Sequence, residues 1–121
     1  MSARTVTVAT SDHGDVTMAE PSWCDGLHKT GGARSDLTHN GLPLEVAFND
    51  GTVLAYGQLC QWPYSEVASR KPYIAVELGG GEHEYDDADL VELQQKLATF
   101  AAVTIPELRV RLSAALAEAR L

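Results

Sequence analysis

Valine alternates with threonine in "TVTVAT" (residues 5–10), and after "SDHG" the run "DVTMAE" (residues 15–20) takes up the same alternation. A period of two marks a strand with one buried face. Two such runs about a turn containing Asp and Gly predict a hairpin, which Pro21 ends. The next stretch, Trp23 to Gly41, "WCDGLHKTGGARSDLTHNG", has no period. Gly26, Gly31 and Gly32 break it into a loop, with "RSDLTH" extended at its end.

A second hairpin follows. "LPLEVAF" and "TVLAYGQLCQW" flank Asn49, Asp50 and Gly51. A two-residue Asp-Gly loop is a strong turn signal. It pairs Phe48 with Val53, Val46 with Ala55, Leu44 with Gly57 and Leu42 with Leu59, which makes one face wholly apolar. A three-residue loop would set Phe48 against Thr52 and Leu42 against Gln58, a poorer match. Residues 63–72 read as an irregular connection, and "YIAVEL" as a further strand that ends at Gly79, Gly80 and Gly81.

From Asp86 the period becomes helical. Leu90, Leu93, Leu97, Phe100 and Ala101 form one stripe, and Leu108, Leu112, Ala115, Leu116 and Ala119 another. Asp86 or Asp87 suits the N-cap. "TIPE" (residues 104–107) resembles a capping box with an early proline, so a break or sharp kink is expected at Val103-Thr104. The expected architecture is one α+β domain over residues 1–121. An antiparallel sheet of about five strands, including two hairpins, is packed on one face by C-terminal helices.

The net charge is −8. It argues against direct nucleic-acid binding, which wants a basic stripe, and against an anionic membrane surface. It favours a protein partner with a basic surface. No apolar stretch reads as an export signal or a membrane span, so a cytoplasmic setting is expected. Cys24 and Cys60 are then more naturally thiols than a disulfide.

The quoted loop concentrates candidate chemistry. Cys24-x3-His28 supplies a thiolate and an imidazole within a short stretch, and His39 follows after flexible glycines. Zinc favours such donors, commonly four in a tetrahedron. In the two-residue-loop register Cys60 falls opposite Gly41 on the face of His39, which makes it the fourth candidate. His13, Asp25, Asp36 and water compete for that position. The expected metal set is therefore Cys24, His28, His39 and Cys60 around a structural zinc. The plainer reading makes Cys24 a buried small hydrophobe beside Trp23, with both histidines bonded to loop backbone.

Asp12-His13-Gly14, Pro21, Trp23-Cys24, His28 and the Asp36 to His39 segment, followed by a hairpin, a strand and an Ala- and Leu-rich helical end, resemble a family of small actinobacterial proteins of unknown function. The resemblance covers most of the chain. It implies a bacterial, cytoplasmic setting and supplies no catalytic residue.

Three functions follow from these residues. The first is a non-enzymatic binding or adaptor module stapled by zinc. The second is a small hydrolase using Cys24 as nucleophile with His28 or His39 as base, although no oxyanion loop is recognisable. The third is an acidic mimic of nucleic acid built on Glu82, Glu84, Asp86, Asp87, Asp89 and Glu92. Against this third reading, carboxylates are the ordinary choice at a helix N-terminus. Trp62, Pro63 and Tyr64 form either an exposed partner patch or a small core that seals a sheet edge.

Overall fold

The computed structural model describes residues 4–79 and 83–120. Among the described residues six antiparallel strands form two sheets, and a helical segment of 33 residues follows them. Strands β1 (Arg4–Thr10) and β2 (Gly14–Glu20) make a sheet of their own. Their register sets Val8 against Val16 and Val6 against Met18, as the alternation predicts. Gly14 takes φ +60°, a left-handed conformation that suits glycine at the end of the turn. The inward face packs Val8 and Met18 on Leu37, with Val6, Val16 and Tyr64 around them. Tyr64 therefore belongs to a small core under the hairpin, and the Trp62 indole donates to the Tyr73 hydroxyl.

The second sheet is built on β5 (Val53–Gln61). Along one side run β3 (His39–Asn40) and β4 (Leu44–Ala47), and along the other β6 (Tyr73–Leu78). The expected pairs Leu44–Gly57 and Val46–Ala55 are present. The turn differs from the expected two-residue loop. The Phe48 and Thr52 backbones are bonded, and Asn49, Asp50 and Gly51 form a three-residue loop with Gly51 at φ +93°. A bulge between Val46 and Ala47 then restores the expected phase.

The phase changes again at Pro43. Gly41, not Leu42, bonds opposite Leu59, and Asn40, not Gly41, lies opposite Cys60. Proline has no N–H to give to the ladder. The chain therefore carries one residue more than β5 does across Leu42-Pro43, and Leu42 stands 71% exposed. Its carbonyl accepts from the Arg111 guanidinium.

Helix α1 (Asp87–Thr99) begins in a capping box, in which Asp86 accepts from the Asp89 N–H and Asp89 accepts from the Asp86 N–H. The expected break at Val103-Thr104 is absent. Residues 100–104 form a π-helical turn, with the Ile105 N–H bonded to the Phe100 carbonyl, and α2 (Ile105–Ala119) continues from it. Thr104 has helical dihedrals and its side chain caps nothing. A proline inside a helix lacks one N–H and crowds the carbonyl four residues earlier. A widened turn just ahead of Pro106 accommodates this without ending the helix. Phe100 packs on Val46 and Ala55, and Leu108 lies against Gly57. Gly80, Gly81 and Glu82 of the glycine-rich and acidic segment lie outside the described residues.

Candidate metal centre

Glu20, the last residue of β2, is in phase with Val16 and Met18 and so faces inward. Pro21 stops the strand, and the Cys24 N–H bonds back to the Pro21 carbonyl. This turn places Cys24 beside Glu20. The Asp25 N–H then reaches the Asn40 carbonyl and ties the loop to β3. Gly26, at φ +82°, aims its N–H at the Cys24 sulfur, 3.5 Å away. The Asp25 carboxylate accepts from the Leu27 N–H and tightens the bend that brings His28 back. His39 comes from β3, across the gap between the two sheets.

Four side chains meet here. One ligating atom from each of Glu20, Cys24, His28 and His39 lies within 4.8 Å of every other. His28 Nε2 is 2.9 Å and 3.2 Å from the two Glu20 oxygens and 3.8 Å from Cys24 Sγ. His39 Nδ1 is 2.8 Å from Glu20 Oε1, the distance of an ion pair. His39 is 2% exposed, and its ring packs edge-on against His28 and Trp23. Buried imidazole nitrogens almost always find a partner. Glu20 and His39 are thus at ion-pair distance, in a group of donors that a metal ion could also use.

Burial alone would raise the Glu20 carboxyl, but the hydrogen bonds from Cys24 and His28 and the two imidazoles outweigh it and hold it below its usual range. Burial pushes the Cys24 thiol up, and the Glu20 carboxylate adds to this. Burial lowers His39 against the pull of Glu20 and so favours the neutral imidazole that a metal binds. The raised Cys24 thiol is the opposite of the lowered thiol that reactive cysteines show. A bound divalent ion would reverse that preference and keep the thiolate.

Of the expected ligands, the structure brings Cys24, His28 and His39 together and leaves Cys60 out. Cys60 pairs with Asn40 and Tyr73, and its thiol points to the Gln58 carbonyl. His39 pairs with Gln61, so His39 and Cys60 lie on opposite faces of the sheet. The Pro43 irregularity causes this one-residue offset. His13 sits at the first hairpin's turn against Asp12, half exposed. Asp25 caps its own bend, and Asp36 lies in an exposed 3-10 turn. Glu20 is the fourth member of the group that the structure brings together. The sequence does carry a signal for it: a carboxylate in the core-facing phase of "DVTMAE" needs a partner inside the molecule.

An α+β domain whose two sheets meet at a buried Glu-Cys-His-His group close enough to hold a metal ion is the class of protein these features define. Residues 5–114 match the family described as a domain of unknown function (DUF6907), and the chain belongs to that family. No curated protein and no solved structure matches the chain.

Proposed function

We propose that the protein is a small binding or adaptor module whose two sheets are stapled by a structural zinc ion on Glu20, Cys24, His28 and His39. The observation that carries this reading is the convergence of four donor atoms, from Glu20, Cys24, His28 and His39, within 4.8 Å of one another. Thiolate and imidazole donors suit zinc, and four protein ligands leave no position for a water. Such a shell serves folding rather than turnover. The ion would join β2, the glycine loop and β3.

The net charge of −8 supports a partner with a basic surface. The acidic segment has local explanations that weigh against mimicry of nucleic acid. Asp86 and Asp89 cap α1, and Glu92 accepts from the Asn49 N–H. No helix among the described residues is long and apolar enough to cross a membrane. A bacterial cytoplasmic setting remains part of the proposal.

The test is metal analysis by plasma mass spectrometry on protein purified without a metal affinity column. One zinc per chain that survives dialysis is the expected result, together with tetrahedral ligand-field bands and sulfur-to-metal charge transfer after cobalt substitution. Substoichiometric metal removed by dialysis, or a cobalt spectrum without the sulfur band, would overturn the proposal.

A further inference from the structure

A half-open cavity of about 600 Å³, walled in part by Glu20 and His39, lies between the end of the first hairpin, the end of β5 and the last turns of α2. Its volume falls within the roughly 300–1,000 Å³ of small-molecule sites. The cavity opens to solvent on the side of Ala119, which is exposed.

Its origin is visible in the sequence. Ala115 and Ala119 are four apart on α2 and both face the space, where longer side chains would fill it. The Ser22 N–H and hydroxyl both donate to the Glu118 carboxylate, at 2.9 Å and 2.7 Å, and hold that end of the helix over the gap. The opposite walls are Met18, Pro21, Trp23 and Tyr64. An indole ring, a phenol ring, a thioether and a rigid proline make a lining suited to a flat apolar body.

The charges in the wall are already matched. Arg4 donates to the Pro21 carbonyl and lies close enough to Glu118 to help lower its carboxyl. Glu20 faces His28 and His39. Each charged group in the wall already has a polar partner, and Gln61 adds a neutral polar group to the lining.

We infer that this cavity is a binding site for an uncharged small molecule with an aromatic ring system. The inference does not depend on a metal ion at the neighbouring group. Indole is a suitable probe. The chain has two methionines, so labelling with methyl-13C methionine gives two methyl signals, one of them from the cavity wall. Titration with indole should shift the Met18 signal saturably, with Overhauser contacts between the indole ring and that methyl. Ala119→Phe, at an exposed helix position, should weaken binding by at least about tenfold. Three results would each overturn the assignment. One is a Met18 signal that does not move or does not saturate. Another is unchanged affinity in folded Ala119→Phe. The third is tighter binding of indole-3-acetate or tryptamine than of indole.

Discussion

Glu20 follows Val16 and Met18 at two-residue spacing, and that phase turns a carboxylate into the interior of the molecule. Replacing it separates its charge from its shape. Glu20→Gln keeps the volume but loses the anionic donor, so zinc retention in dialysed protein should fall at least about tenfold. Cys24→Ser should do the same, whereas Cys60→Ser should keep full zinc content. A Cys60→Ser protein that loses its zinc would contradict the ligand assignment. A different residue is limited by space alone. A Cβ on Gly57 would overlap the Leu108 side chain, so Gly57→Ala should cost about 1–3 kcal/mol in urea unfolding. In a Leu108→Ala background the same substitution should cost less, because the clashing side chain is gone. At this scale the donors Cys24, His28 and His39 are legible from residue type and spacing. Glu20 is hidden because a glutamate at a strand end resembles any solvated one until its phase is counted. Cys60 is misplaced because its face depends on a register that one proline alters.

Among the elements, the hairpins and the helix start are written locally, and the helix middle is not. The strand alternation and the Asp86 cap need only neighbouring residues. Asp86→Ala should cost about 1 kcal/mol by thermal unfolding, the usual cost of losing an N-cap. "VTIP" has the local marks of a new helix, but Phe100 and Leu108 both find places on the second sheet, and their burial keeps the helical path continuous through a wide turn. Tertiary packing there overrides propensity. The far end of α2 depends on pH. Hydrogen bonds from Ser22 hold the Glu118 carboxyl below its usual range. A carboxyl depressed on folding adds stability above its unfolded pKa, and that contribution is lost as pH falls through the folded value. The stability difference between wild type and Glu118→Gln should therefore be constant near neutrality and shrink in acid. A difference that does not change with pH would remove Glu118 from this role.

Across the whole molecule the order of strands first and helix last follows from the two periods in the sequence. The division of the strands into two sheets does not, because it depends on how the long glycine-rich loop closes. The proposed zinc sits at that closure, so its removal should be felt unevenly. Binding to the folded state alone stabilises by about 2.7 kcal/mol at a hundredfold excess over Kd. For a chain of this length a chelator should then lower the melting temperature by on the order of 10 °C. Amide exchange should rise in β1, β2 and residues 21–38 while β5 and β6 stay protected. Uniform loss of protection would mean that the ion holds the entire fold rather than one seam of it.

Leu42 is the residue the ladder does not need, and this makes two nearby deletions opposite in meaning. Removing Leu42 lets Gly41 run straight into Pro43 and leaves Asn40 across from Cys60 and His39 across from Gln61, as they are now. Removing Asn40 instead draws His39 one place along β5 and turns its imidazole over to the far side. Two single-codon losses within three positions should therefore divide into a tolerated one and a disabling one, read directly as zinc kept or zinc lost. Natural variation in the length of this connection is expected to fall at Leu42 and to spare Asn40.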